Sequence, residues 1–107
     1  MTSGIELIAQ ERTEQIEKHG RTVEKDVLKN TNFELARAAE ALCFHEKVNP
    51  DTIVKHFMPI DTWSESACTK MAEKPYKERL IIAGALIAAE IDRLNYTNKT
   101  DGTSDAG

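Results

Sequence analysis

The sequence predicts an all-α protein, a small single-domain helical bundle of three main helices with one or two short ones. Apolar residues return at three- and four-residue intervals along the longer segments, as one face of a helix requires. Helix formers dominate a 107-residue chain that is 40% hydrophobic and 30% charged, with only 5 Gly and 3 Pro to interrupt them. No segment alternates polar and apolar residues as a half-buried strand would.

The first helix is expected from Ile5 to Lys18, ending at Gly20, which accepts a left-handed backbone without steric cost. Its apolar stripe is Ile5, Ile8, Ala9 and Ile16, and Arg12 falls inside that stripe. From Arg21 to Asn30 polarity rises and periodicity fades, which reads as a long connection and a place for function. Thr31 with Glu34 three residues on forms a capping-box pattern that opens the second helix, "FELARAAEALCFHEK". Leu35, Ala38, Ala39 and Leu42 occupy one face of it, with Phe33 and Phe44 almost opposite. Two apolar faces on one helix imply two partners, one of them a second copy of the chain. Asn49-Pro50 starts a short helix that stops before Pro59. Another short helix is expected from Thr62 to Glu73, carrying Trp63, Ala67 and Met71, and Lys74-Pro75 breaks the chain. The last helix, Tyr76 to about Asn95, is expected to bury Leu80, Ala83, Ile87, Ile91 and Leu94. Residues 1–95 then form the domain and 96–107 a disordered polar tail.

A net charge of −4 argues against a sequence-independent grip on nucleic acid, which needs an excess of Lys and Arg. The longest uncharged run, Leu80 to Ala89, is half the length of about 20 residues that a membrane span needs. The start of the chain lacks a basic region followed by an apolar run, so the expected location is the cytoplasm. Cys43 and Cys68 form no redox motif and are expected as reduced thiols; Cys43-x-His45 has no second pair at zinc spacing. Glu11, Glu14 and Glu17 recur every three residues, a pattern that a solvated face explains. No nucleophile signature, Gly-rich phosphate loop or H-E-x-x-H pair occurs.

Arg12, Gln15 and His19 share one side of the first helix, and Arg79 and Glu90 bracket the apolar stripe of the last. Two readings follow. In the structural one Arg12 lays its methylenes along the stripe and pairs with a carboxylate of another helix, Glu90 or Glu34. In the ligand-binding one Arg12, Gln15, His19, Asp26, Arg79 and Glu90 receive a phosphorylated molecule such as a nucleotide, with the 21–30 segment as a lid. No cofactor is expected.

Two segments, "ELIAQERTEQIEKHGRTVEKD" and "KPYKERLIIAGALIAAEIDRL", resemble a family of small all-α phage and prophage proteins. The shared features are an E-R-x-x-Q-I helix at Glu11, Arg12, Gln15 and Ile16 and a G-x-T-x-E-x-D loop at Gly20, Thr22, Glu24 and Asp26. They continue with an E-L-A-x-A-A helix from Glu34 and a K-P-x-x-x-R-L-x-x-A-G-A-L-x-x-A-E-I-x-R-L helix from Lys74 through Arg79, Gly84 and Glu90 to Leu94. That resemblance covers roughly three-fifths of the chain and carries no established activity. The layout is also similar, at fold level, to MazG-like nucleotide pyrophosphohydrolases, which hold magnesium with E-x-x-E and E-x-x-D motifs. Arg37 stands where a second carboxylate would be needed, and Asp92 follows Glu90 at i+2. Members of the phage family often carry an H-D-D-x-H-like stretch where this chain has Lys25, Asp26, Val27 and Lys29. The sequence therefore leads to three functional expectations, in order: a binder of a phosphorylated ligand, a homo-oligomeric interaction module without a ligand, and a magnesium-dependent hydrolase.

Overall fold

The computed structural model describes residues 1–100. Its helices are α1 (Gly4–Glu17), α2 (Val23–Lys29), α3 (Glu34–Leu42), α4 (Pro50–Phe57), α5 (Glu65–Ala72) and α6 (Tyr76–Thr100), with no strand among the described residues. At about 1.5 Å per residue the 25 residues of α6 run for roughly 37 Å, most of the 44 Å long axis of the molecule. Helices α1, α2, α3 and α5 all pack on α6, while α4 packs on α3 and α5. The all-α class is as the sequence predicts, but two long helices and four short ones replace three main helices.

Local chemistry accounts for the ends. Ser3 and Glu6 make a reciprocal capping box at α1, Thr22 caps α2, Asn49 caps α4 ahead of Pro50, and Ser64 caps α5. Gly20 adopts φ 64° and turns the chain from α1 into α2. The expected Thr31 cap of α3 does not form. Phe33 holds that position instead, at φ 61° and with no side-chain cap, and the Glu34 carboxylate accepts the Asn32 amide at 2.7 Å.

The core lies between α3, α4, α5 and α6. Leu35, Leu42, Ile53, Val54, Cys68 and Leu86 fill it, and alanines line the α3–α6 crossing: Ala38 and Ala39 from one helix, Ala83 and Ala89 from the other. Small side chains allow the two axes a close approach. Phe44 packs on Phe57 with ring centroids 4.6 Å apart, so it belongs to this core and not to a second face of α3. Burial raises the Cys68 thiol pKa and keeps the sulfur protonated and inert.

Several expectations are corrected by the packing. The 21–30 segment is not a loose connection: α2 occupies it and buries Asp26 against α6. In α1 the buried residues are Arg12 and Gln15, while Ile5 and Ile16 are exposed. On α6, Leu80, Ile87, Ile91 and Leu94 are exposed as well. The last helix continues past Asn95 to Thr100, and the remainder of the expected tail lies outside the described residues. No helix among the described residues is long and apolar enough to cross a membrane.

Candidate functional site

Helix α1 packs chiefly on α6, and its polar residues meet two different environments. The first is a buried junction with α2, α3 and α6. Arg12 donates to the Arg21 carbonyl and to the Asp92 carboxylate, each at 3.3 Å. One turn on from Asp92's neighbour Glu90, Arg93 forms a two-point pair with the Glu90 carboxylate at 2.7 and 3.1 Å. That pairing raises the Arg93 pKa further, with burial opposing it and the charges of Glu90, Glu34 and Asp26 reinforcing it. Asp26 is fully enclosed. One of its oxygens accepts from Asn30 Nδ2 at 2.7 Å and the other has no protein partner. Burial raises the Asp26 pKa above the ordinary carboxylate value, against the opposing pull of Asn30, Arg12 and Arg21. Asn30 in turn accepts the Trp63 indole N–H at 2.8 Å, and the Arg21 guanidinium lies 5.4 Å over that ring.

The second environment is an open cleft of about 740 Å³ between α1, α5 and the first turns of α6. One end carries His19 and Arg21 beside Ser64 and Ser66, at the N-terminus of α5. The Ser64 hydroxyl takes the Ala67 amide, and helix geometry leaves the preceding amides of the first turn without intrahelical acceptors. Toward the other end the walls are Leu7, Met71, Ile81 and Ile82. Lys70, Lys74 and the carboxylate residues Glu11, Glu14 and Glu78 also line it. Gln15 belongs to this wall although it is 3% exposed; its Nε2 donates to Glu11 at 3.3 Å and its Oε1 has no protein partner.

The six sequence-derived candidates therefore separate. Gln15 and His19 line the cleft. Arg12, Asp26 and Glu90 meet in the buried junction, where Arg12 takes Asp92 in place of the expected Glu90 or Glu34. Arg79 stands apart from both: buried at 3% exposure, it donates to the Leu42 carbonyl at 3.1 Å and closes the C-terminus of α3. Arg21, Lys70 and Lys74 line the cleft without having been singled out, because their sequence context is an ordinary polar one and only the fold brings α5 beside α1. Among the described residues no group of three or more His, Cys, Asp or Glu side chains is arranged to hold a metal ion. Compared with known proteins, the chain matches no family model, no curated protein and no solved structure.

Proposed function

We propose that this protein binds a small phosphorylated molecule of the nucleotide class in the cleft between α1, α5 and α6. The observation that carries the reading is the lining of the cleft: Arg21 and His19 beside the first turn of α5, with the aliphatic side chains of Leu7, Met71, Ile81 and Ile82 on the same wall. Gln15, buried in the same wall, keeps its Oε1 without a protein donor and below the surface, which costs the free protein about 1–3 kcal/mol. The phosphate goes to Arg21, His19 and the first turn of α5, where the planar guanidinium fork and the helix dipole both favour an anion. Leu7, Met71, Ile81 and Ile82 receive the apolar faces of a base. Lys70 and Lys74 offset Glu11, Glu14 and Glu78, so the cleft is nearly neutral and selects by local pairing, not by a long-range field.

Thermal melting with millimolar nucleoside mono- and triphosphates tests this, since a ligand at about 100 times its Kd adds roughly 2.7 kcal/mol to the native state. A rise in melting temperature is expected in the parent protein and in Lys55→Ala, whose lysine is remote from the cleft. It is expected to vanish in Arg21→Ala. In Gln15→Leu the free protein gains stability, because a buried acceptor without a donor is removed. Absence of any shift with nucleotides, sugar phosphates and pyrophosphate overturns the reading.

A further inference from the structure

We propose that the exposed face of α6 is the contact for a second copy of this chain, packed antiparallel about a two-fold axis through Ile87. The residues are Leu80, Gly84, Ile87, Ile91 and Leu94, spaced 4-3-4-3, which is the stripe of a helix built to lie along another helix. Single exposed aliphatics are ordinary on a protein surface, but a continuous row of them is not. Here Leu80, Ile87, Ile91 and Leu94 are 38, 48, 52 and 46% exposed. The one gap in the row, Gly84, is filled from α1: a Cβ at Gly84 would lie 2.5 Å from the Ile8 side chain, so Ile8 sits directly on it and joins the upper and lower halves. Ile5, on the same face of α1 as Ile8, extends the patch and is 82% exposed.

Self-association suits the pattern better than other occupants. Leu80 and Leu94 are each seven residues from Ile87, so a two-fold axis through Ile87 sets Leu80 of one copy on Leu94 of the other. The same operation brings Ile91 against the partner's Ile8–Gly84 crossing. Of the residues bordering the row, Ala83, Ala88 and Asn95 are uncharged, Glu90 is already paired with Arg93 of its own helix, and Lys77 lies about three turns from the axis, so like charges do not meet at the centre. Residues 101–107, DGTSDAG, include no large apolar side chain.

The area fits a reversible dimer. Taking about 100 Å² for a fully exposed aliphatic side chain, the five exposed residues present on the order of 300 Å² of apolar surface per copy. Two copies bury about 600 Å² of it, which at the usual apolar fraction corresponds to roughly 1,000 Å² in all, the lower limit for a specific contact. The row is separate from the cleft wall that α6 contributes through Glu78, Ile81 and Ile82, so this inference stands or falls independently of the ligand.

Sedimentation equilibrium of the full chain tests it. The weight-average mass is expected to rise from the 12.0 kDa monomer and level off at twice that value, with half-association at about tens of micromolar. Ile87→Glu sets two carboxylates across the axis and is expected to weaken association more than tenfold, with an unchanged circular dichroism spectrum and melting curve because the side chain is exposed in the monomer. Leu94→Lys is a second variant with the same expected effect. In a Cys43→Ser background, Leu80→Cys mixed with Leu94→Cys is expected to give a cross-linked dimer on oxidation faster than either alone. A constant 12.0 kDa up to hundreds of micromolar, a mass that climbs without a plateau, a dimer indifferent to Ile87→Glu, or faster cross-linking of Leu80→Cys with itself overturns the proposal.

Discussion

Replacing Arg12 by alanine tests the electrostatics of the α1–α6 contact. Three contributions disappear. The ion pair joins a buried guanidinium to an Asp92 side chain that is 48% exposed, so water and salt limit it to about 0.5 kcal/mol. The charged N–H donated to the Arg21 carbonyl contributes about 1.5 kcal/mol. The methylenes that Arg12 lays against α6 contribute about 1 kcal/mol for roughly 40 Å² of apolar surface. Offsetting these, Nε is buried without a partner, and returning that group to solvent recovers about 1 kcal/mol. Arg12→Ala is therefore expected to destabilise the fold by about 2 kcal/mol, which lowers the melting temperature of a domain of this size by about 8–16 °C. Urea denaturation at neutral pH measures the first figure and calorimetry the second. Asp92→Asn alone is expected to cost about 0.5 kcal/mol, and the coupling in the double-mutant cycle to stay under about 1 kcal/mol. An Arg12→Ala protein as stable as the parent, or more so, would refute the reasoning: mutual repulsion between cations would then outweigh every contact described above.

Three further substitutions have outcomes set by single features. Asp26 has a raised pKa because it is buried; its folded-state value lies above the unfolded one, so its contribution to stability is complete below the ordinary carboxylate pKa and is lost as pH rises through the raised value. Asp26→Asn should consequently gain stability relative to the parent as pH increases across that window, reaching on the order of 1 kcal/mol at pH 7, and urea midpoints that keep a constant difference from pH 4 to pH 7 would exclude this assignment. Gly84→Ala gains about 1 kcal/mol of helix propensity but drives its Cβ into Ile8 at 2.5 Å, so a net loss of about 1 kcal/mol is expected in otherwise wild-type protein. Adding it to Ile8→Ala should instead stabilise that variant by about 1 kcal/mol, and a further loss there would show that Ile8 is not the obstacle. Phe33→Gly relieves the left-handed backbone at φ 61° and should raise stability by up to about 1 kcal/mol in chemical denaturation; a lowered urea midpoint would count against strain at this position.

Periodicity made the helix positions legible wherever the buried side chains are apolar. It located α4 through Asn49-Pro50 and placed α5 and α6 around the Lys74-Pro75 break. It failed at α2, whose only buried residue is Asp26, because a seven-residue helix held by a polar contact carries no apolar signal. It also assigned Ile87, Ile91 and Leu94 to a core. A stripe read along one helix does not say whether its cover comes from the same chain, and α6 has apolar residues nearly all round, with α3 taking one side and α1 another. The cap of α3 was misplaced for a related reason: Glu34 completes no capping box with Thr31 because its carboxylate turns inward, toward Arg93, and accepts the Asn32 amide on the way.

The partner of Arg12 follows from the same accounting of charge. Glu90 was the obvious candidate, but it has Arg93 three residues on in its own helix, and a local pair with two short hydrogen bonds forms without ordering any second element. Arg12, arriving from α1, is left with Asp92 and a backbone carbonyl. Two guanidiniums then stand among the carboxylates of Asp26, Glu34 and Glu90, and burial raises the Asp26 pKa. The junction thus carries its own counter-ions, supplied by Arg12 and Arg93. On the other side of α1 the Gln15 side-chain oxygen, one turn from Arg12, is buried without a protein donor. A helix whose inner face is polar at both points is held on α6 by the Arg12–Asp92 pair as well as by Ile8 seated on Gly84.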